Sequence, residues 1–463
     1  MSPGREARIF ALLYLLGLAA VVASLAVFVA LRGVPLAEIA ERLPRFVRWI
    51  ARNPVSYLYA AIPYVLFAAG RSLVRAFRRG GGRALAGAFA TRVALPAAAL
   101  AALGLGYRAY RHEPPVPWNH DETAVNETGR SAGRFARDGK VRGVNLVAGR
   151  RLPEEALLPL LRANVEWLSV SPFGWQRRLD GTRIESHGEA GYWSESDSGI
   201  AALTRMAHAR GMRVALKPHL WVTDGSGGAR LADLDPGTPE GWRAWFASYR
   251  DFLLRYAALA ESAGIDLLVI GAELTRASTR HPGAWRALIA ETRGIYRGPL
   301  TYAANWYEEA EGIAFWDALD YIGVQAYYPL TKDGGAERDA LGRGWAEPLA
   351  ALERLHQRWG KPVLFTEVGW KSTADSAVRP WEWTEHSSQL LARISTRAQA
   401  EAYEAFFAEV WPKPWFAGAY FWKWYGRHER AGGPGDPDFT PQNKPAEAVM
   451  ARGFAARTEE PLP

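Results

Sequence analysis

The chain has 463 residues, no cysteine and a formal net charge of +8 at pH 7. Without cysteine it has no disulfides, no thiolate catalysis and no cysteine-ligated metal site. The first 112 residues hold 15 Arg, no Lys and three acidic residues, a charge of +12, so the remaining residues carry −4 of the total. This distribution gives no support to a nucleic-acid-binding face on the main part of the chain.

The N-terminal region, residues 1–111, contains three apolar segments that are candidates for the membrane. Residues 9–31 form an unbroken apolar run of 23 residues, and about 20 such residues cross a hydrocarbon core of ~30 Å. Residues 84–107 are a second candidate, and residues 55–69 are a possible extra segment. Ten Arg between positions 32 and 83 favour a cytoplasmic location for that stretch. We therefore predict two membrane spans, with the rest of the chain on the non-cytoplasmic side, periplasmic or extracellular. Three spans would place it on the same side.

Residues 112–140 are polar, contain three prolines and predict a linker. From residue 141 to 455, apolar runs of strand length alternate with helical stretches, and residues 456–463 form a tail. The predicted strands are residues 141–148, 165–172, 213–220, 266–273, 300–305, 321–327, 362–367 and 416–422. The predicted helices are residues 154–163, 199–210, 240–262, 282–296, 313–318, 345–359, 397–410 and 445–453.

This alternation is typical of a parallel sheet that is buried on both faces. Eight strand and helix units predict an α/β fold, a (β/α)8 TIM barrel that follows an N-terminal transmembrane helical region. The alternative is an open doubly wound sheet, which usually has a glycine-rich nucleotide-binding loop after an early strand. The stretch GVNLVAG (143–149) is a poor match to such a loop.

Reactive residues of a TIM barrel lie where the strands end and the following loops begin. We expect the polar and aromatic residues at those positions, and Trp381 in the long loop after the seventh strand, to bind substrate. Those residues are Asn145, Trp175, Lys217, His219, Trp221, Asn305, Tyr327, Trp370, Trp422 and Lys423. Of the 20 tryptophans, 19 follow residue 112. Their abundance fits an aromatic-lined cleft and also fits a large core.

Glu273 and Glu367 are the strongest candidates for catalysis. Each ends an apolar run, LLVIGA and PVLFT respectively, and charged residues are rarely buried without a partner. A salt bridge at the barrel rim is the alternative for either residue. Two carboxyl groups at one rim suit glycoside hydrolysis, in which one donates a proton and the other attacks the anomeric carbon. Tyr327 and His219 are candidate hydrogen-bond partners of the nucleophile.

Local motifs in this region resemble those of glycoside hydrolase family 113, a clan A family whose characterised members are β-mannanases. The matching stretches are KPHLW (217–221), IGAEL (270–274), YIGVQAYYPL (321–330), FTEVGWKS (365–372), RPWEW (379–383), AYFWKWY (419–425) and DFTPQNKPA (438–446). The resemblance implies that Glu273 is the acid/base, Glu367 the nucleophile and Tyr327 a residue that steadies the nucleophile. The tryptophans would hold sugars. Ala272 departs from clan A, which commonly has Asn before the acid/base, where it binds the sugar 2-hydroxyl.

Together these features predict a membrane-anchored retaining glycoside hydrolase that cleaves a β-linked glycan, either a β-mannan-like polymer or a cell-envelope polysaccharide. A transglycosylase on the same scaffold and a non-catalytic glycan-binding envelope protein are the alternatives. The expected partners are an oligo- or polysaccharide and the lipid bilayer, with no nucleic acid. No cofactor and no metal site are expected, because His208, His219 and His281 lack the spacing of a zinc motif.

Overall fold

The computed structural model describes residues 5–17, 54–113, 125–186, 188–189, 191–224, 230–332, 334, 337–382 and 392–456. The chain divides into two compact units, Met1–Ala109 and Tyr110–Pro463. Each unit is described by itself below.

The described part of the first unit is helical. Residues 5–17 form one helix, and a longer helical stretch consists of Pro54–Phe89, a π-helical turn at Ala90–Ala94, and Leu95–Arg111. Gly80 (φ −153°) and Gly81 (φ 62°) lie inside the stretch with non-helical backbone angles. Glycine tolerates the positive φ of Gly81 because it has no Cβ. These two residues therefore separate two helices.

The described helices of this unit cover the three predicted membrane segments to different extents. Within the described residues, one helical stretch, Ala61–Arg111, which includes the break at Gly80 and Gly81, is long and apolar enough to cross a membrane. It includes the whole of candidate 84–107 and part of candidate 55–69. Most of candidate 9–31 lies outside the described residues.

The second unit contains a closed barrel of eight parallel strands, which confirms the predicted barrel. The strands of the described chain are β1 (Val141–Val147), β2 (Trp167–Val170), β3 (Phe173–Gln176), β4 (Ile184–Ser186), β5 (Arg213–Leu216), β6 (His219–Val222), β7 (Leu267–Ala272), β8 (Leu300–Asn305), β9 (Ile322–Gln325), β10 (Val363–Val368) and β11 (Phe416–Tyr425). Around the barrel their order is β1, β11, β10, β9, β8, β7, β5, β2. The carboxyl ends of all eight strands therefore meet at one rim.

Helices follow the barrel strands in chain order. They are a 3-10 turn at Glu154–Leu157 with Leu158–Arg162, Asp197–Ala209, Pro239–Ala263, Thr275–Arg280 with Pro282–Ile295, Glu309–Gly312 with a 3-10 turn at Trp316–Ala318, Arg338–Gly344 with Ala346–Trp359, Thr396–Glu409, and Pro445–Ala455. Further 3-10 turns lie at Trp193–Glu195, Leu231–Asp233 and His428–Arg430. Of the eight barrel strands, the fifth in chain order, β8, is followed by the shortest helical connection, as the sequence pattern predicts.

A small sheet of three strands, in the order β4, β3, β6, lies outside the barrel and differs from the prediction. The predicted third strand, residues 213–220, divides into β5 and β6 on either side of Lys217 and Pro218. Proline lacks the N–H that continues a strand ladder, so the chain leaves the barrel here. His219 and Trp221 consequently belong to the small sheet.

The last residues of the predicted linker pack against the amino-terminal end of the barrel. Helix Phe135–Asp138 places the Phe135 ring 4.9 Å from the Trp167 ring, edge to face. The fully buried Arg142 guanidinium donates to both oxygens of Asp138, at 3.0 and 2.6 Å. The segment therefore forms part of the barrel domain.

Candidate active site

Both glutamates lie at the carboxyl-terminal rim of the barrel, and each follows an irregularity in its strand. The pairing of β7 with β8 changes register between Val269 and Ala272, just before Glu273. The pairing of β10 with β9 changes register between Phe365 and Glu367. An extra residue of this kind turns the following side chain away from the regular alternation, and such bulges are common beside active sites.

Glu273 has an unusual backbone conformation, with a φ of 59°. A side chain with a Cβ pays roughly 1–2 kcal/mol for the left-handed region, so neighbouring contacts must hold it there. Its N–H donates to the Ala303 carbonyl at 3.0 Å, and its Oε1 accepts from Gln325 Nε2 at 2.7 Å.

Gln325 is a buried partner of Glu273. It ends β9 and is the backbone register partner of Glu367 on β10 and of Asn305 on β8. From this position its side-chain amide donates to Glu273 at the end of β7. The Glu273 carboxyl group thus accepts a hydrogen bond from the strand that pairs with the strand of Glu367. Gln325 was not among the predicted binding residues, although its place at a strand end was a usable signal.

Glu367 is buried and has two charge-stabilising partners. Tyr327 Oη donates to Oε2 at 2.6 Å, and the Lys217 ammonium donates to Oε1. The Trp422 ring lies beside this pair, with its centroid 5.5 Å from Lys217 Nζ. Burial, followed by the negative charge of Glu367, raises the pKa of Tyr327 well above its ordinary value, so its hydroxyl stays protonated. Glu367 thus lies between a cation and a hydroxyl donor.

Glu273 has the opposite surroundings. Burial is the largest cause that raises the pKa of Glu273, and the charges of Glu367 and Glu309 add to it, giving a pKa of about 8. Lys217 opposes this shift of the pKa. At neutral pH the Glu273 carboxyl group is therefore protonated, the state that a general acid requires.

His219 does not contact Glu367 as predicted. Its Nδ1 lies 2.9 Å from the Leu220 carbonyl oxygen, and its ring packs 5.7 Å from the Phe173 ring. Burial and then the nearby Lys217 charge lower the pKa of His219, which keeps the imidazole neutral. Lys217 is instead the partner of the Glu367 carboxyl group, because His219 lies on β6 of the small sheet, outside the barrel.

Two groups of aromatic residues lie beyond the strand ends. On the small sheet, Trp175 of β3 is the register partner of Trp221 of β6, and their rings are 6.4 Å apart. Trp221 is 55% exposed. Trp306, just after β8, packs 5.6 Å from Trp381 of the loop after β10, and Trp381 is 42% exposed. Trp383, the second tryptophan of RPWEW, lies outside the described residues.

Three residues that were predicted to bind substrate are buried and contact other protein groups. Trp370 is 1% exposed and packs against Trp345 and Tyr403, so it belongs to the core. Asn305 uses its side-chain amide on Glu309 and Thr275, at 3.0 and 3.2 Å. Lys423 is buried, with Nζ 3.4 Å from Asp438 Oδ2. Their contacts with substrate stay predictions, and a position next to a strand end does not by itself determine the direction of the side chain.

Asn145 is buried between three strands. Its Nδ2 donates to the carbonyl oxygens of Thr366 and Tyr420, at 3.3 and 3.4 Å. Its buried Oδ1 accepts no hydrogen bond from the described residues, and neither does Gln325 Oε1. Within the described residues, no group of three or more His, Asp or Glu side chains is arranged to hold a metal ion.

Comparison with known proteins identifies the family. The model of Glycoside Hydrolase Family 113 matches residues 151–444, which include both rim glutamates. The chain belongs to glycoside hydrolase family 113. It is therefore an enzyme of the glycoside hydrolase class, in clan A, as the sequence motifs predicted. A search of curated proteins found no match.

Solved structures of family 113 enzymes resemble this chain over the barrel. The β-mannanase AaManA from Alicyclobacillus acidocaldarius, in complex with ManMIm, is 30% identical, with a TM-score of 0.58. The similarity covers 68% of this chain and 97% of that one. A complex of a family 113 β-1,4-mannanase is 26% identical, with a TM-score of 0.58 over 69% of this chain and 99% of the other. The family fold thus accounts for the barrel domain.

Proposed function

We propose that the protein is a membrane-anchored, retaining β-glycanase, with Glu273 as acid/base and Glu367 as nucleophile. The observation that carries the proposal is that Glu273 and Glu367 both lie at the carboxyl-terminal rim, Glu273 with its pKa raised to about 8 and Glu367 bonded to Lys217 and Tyr327. A protein that only bound glycans would not need two carboxyl groups with such different surroundings at the same rim.

The proposed reaction has two steps. In the first, Glu367 attacks the anomeric carbon while Glu273 gives its proton to the glycosidic oxygen, and the bond between that oxygen and the anomeric carbon breaks. In the second, Glu273 takes a proton from water, whose oxygen attacks the anomeric carbon and releases Glu367. Two inversions retain the anomeric configuration. A sugar hydroxyl in place of water would give transglycosylation.

Substrate would be held by aromatic faces. Trp175, Trp221 and Trp381 offer flat apolar surfaces to sugar rings, and such walls with a few polar groups are typical of ligand sites. The similarity to two β-mannanases favours a β-1,4-mannan-like polymer, and a cell-envelope glycan is the second candidate.

Membrane attachment rests on helix Ala61–Arg111 and on the +12 charge of residues 1–112. We infer that this region anchors the barrel to the bilayer, with the barrel on the non-cytoplasmic side. An anchored hydrolase would act on glycans that lie close to the cell surface.

The test is a glycan assay on the full chain in detergent. We expect reducing sugars from β-1,4-mannan or another β-glycan of a panel, and a loss of roughly 10⁴-fold or more in kcat for Glu367→Ala. The first products should show the anomeric configuration of the substrate by proton NMR. Equal release by both proteins would remove Glu367 from the mechanism. Binding without any release by the unmutated chain would favour the glycan-binding alternative, and products joined to added alcohols or sugars would favour transfer.

A further inference from the structure

Glu309 is a fully buried acid that the proposed reaction does not use. Five donor groups surround its carboxyl group. They are Tyr302 Oη at 2.6 Å, Ser278 Oγ at 2.7 Å, Asn305 N at 2.8 Å, Asn305 Nδ2 at 3.0 Å and Thr275 Oγ1 at 3.1 Å. Burial raises the pKa of Glu309, and these donors oppose that shift. The two Asn305 groups can only donate, and both donate to Glu309 Oε2.

The partners of Glu309 come from two elements on either side of Glu273. Thr275 and Ser278 lie on helix Thr275–Arg280, which begins two residues after Glu273, whereas Tyr302 and Asn305 lie on β8. The Tyr302 hydroxyl also accepts the N–H of Leu274 at 2.9 Å. Hydrogen bonds to Tyr302 and to the Glu309 carboxyl group therefore hold the segment after Glu273 against β8.

These hydrogen bonds explain how Glu273 keeps its strained backbone conformation. Glu273 has its φ at 59°, and neither neighbour is a glycine that would relieve the conformation. Contacts that over-determine the surrounding backbone are what maintain such a residue. On the amino-terminal side of Glu273, the pairing of β7 provides these contacts. On its carboxyl-terminal side, Leu274 N–H donates to Tyr302. The hydroxyl groups of Thr275 and Ser278 donate to Glu309.

We propose that Glu309 is the positioning residue of the acid/base, because its buried carboxylate binds the segment after Glu273 to β8 and so fixes where the Glu273 carboxyl group lies. This inference rests on the proposed function and adds a residue to it. Glu309 touches neither the nucleophile nor a substrate site, so its effect on the reaction passes through Glu273.

Charge gives Glu309 a second effect on the same group. The titratable groups that face Glu273 are Glu309 beyond β8, Glu367 on β10, Lys217 just after β5, and Tyr307 and Tyr327. Glu309 is one of the two acids among them that raise the pKa of Glu273. Removal of its charge should lower the pKa of Glu273, so that the acid loses its proton at a lower pH.

The test compares two substrates in the full-length enzyme. A β-1,4-mannooligosaccharide needs a proton from Glu273 on its leaving oxygen, whereas a 2,4-dinitrophenyl β-mannobioside does not, because dinitrophenolate leaves unprotonated. For Glu309→Gln we expect kcat/KM on the oligosaccharide to fall roughly 10- to 100-fold, as for a misplaced catalytic group. On the dinitrophenyl glycoside it should fall less than about threefold. The basic limb of the pH profile should move down by roughly half a pH unit.

Glu311→Gln is the matched control, since Glu311 is an exposed acid on the same short helix. It should keep both kcat/KM values and the pH profile of the unmutated enzyme. Equal losses on the two substrates, or no loss on either, in a folded Glu309→Gln variant would overturn the proposal. If Glu309→Gln does not fold, Thr275→Val removes one donor and should show the same selective loss on a smaller scale, and an unselective effect would again overturn it. An unmutated chain that cleaves neither substrate would instead remove the proposed function, and this inference with it.

Discussion

At the scale of single residues, the two rim glutamates have different surroundings. Glu367 has a cation and a phenol as partners, whereas Glu273 has a neutral amide and two neighbouring acids. Desolvation and like charge favour a neutral carboxyl group, as they do at Glu273. Because the residue type is the same, the two proposed roles rest on these surroundings.

The first prediction concerns pH. The proposed first step needs a protonated Glu273, whose pKa is raised to about 8 by burial and by Glu367 and Glu309. The value of kcat/KM should therefore fall as the pH rises through about 8. In Glu273→Gln the residual rate on an activated aryl glycoside should show no such limb, because an amide has no proton to lose. A basic limb that persists in this variant would assign the titration to another group.

The second prediction concerns Tyr327. Substitution Tyr327→Phe removes the 2.6 Å hydrogen bond to Glu367. A hydrogen bond to a charged group contributes about 1.5–3 kcal/mol, so kcat should fall roughly 10- to 100-fold. Tyr328→Phe is the control, because the Tyr328 ring packs against Trp306 and Trp345. Steady-state kinetics that show the same loss for both variants would count against a specific role of Tyr327.

Some of these residue contacts could be predicted from the sequence and others could not. The position of Tyr327 at a strand end, together with the family motif, pointed to the nucleophile. Lys217 was expected to bind substrate, but Pro218 redirects the chain and leaves Lys217 inside the barrel, beside Glu367. Glu309 carried no local signal, because its partners are spread over residues 275–305. Contacts of this kind depend on the closed sheet and not on local pattern.

At the scale of elements, irregular strands place the reactive groups. The register of β7 and of β10 shifts just before Glu273 and at Glu367, and the pairing of β1 with β11 shifts between Val144 and Leu146, around Asn145. Regular alternation at these ends would send some of these side chains toward the surrounding helices. The sequence shows the apolar runs but not the bulges, because a bulge is a property of two paired strands.

The eight barrel strands were predictable because each is a short apolar run between turn residues, and six of the predicted runs differ from the strands by two residues or fewer at either end. The small sheet of β3, β4 and β6 was missed. Its strands have only three or four residues each, and β3 pairs with β6 across 46 positions of sequence. Such short segments carry too little periodicity to be recognised alone.

A third prediction separates core from cleft among the tryptophans. Trp370→Ala should lower the free energy of unfolding by about 3–5 kcal/mol, because the ring is fully packed. Trp221→Ala should leave the free energy of unfolding within about 0.5 kcal/mol, since that ring is 55% exposed. It should instead raise KM for a glycan roughly 3- to 10-fold. Denaturant melts and steady-state kinetics on both variants measure these effects, and a stable Trp370→Ala would contradict the packing.

At the scale of the whole molecule, the chain joins a family barrel to a region that the family model does not cover. The matched segment begins at residue 151, whereas the Arg-rich apolar region ends near residue 111. The barrel itself carries a slight excess of acid, so the basic charge is specific to the N-terminal region. Positive charge in this setting is the usual determinant of membrane orientation.

The fourth prediction tests this orientation. The chain has no cysteine, so single cysteines can be introduced without background. In intact cells a membrane-impermeant maleimide should label Glu347→Cys on the barrel surface. It should label Gly82→Cys, within the Arg-rich stretch, only after permeabilisation. Labelling of Gly82→Cys but not of Glu347→Cys in intact cells would reverse the proposed topology.

The central claim is that Glu367 forms a covalent bond to sugar while Glu273 handles the proton. The most direct measurement uses a 2-deoxy-2-fluoro-β-mannobiosyl fluoride, which forms a glycosyl enzyme quickly and releases it slowly. Mass spectrometry of the peptic digest should show one disaccharide unit, attached to Glu367 on the peptide that contains FTEVGW (365–370). A label on any other residue, or none from an enzyme that cleaves the parent glycan, would contradict the account.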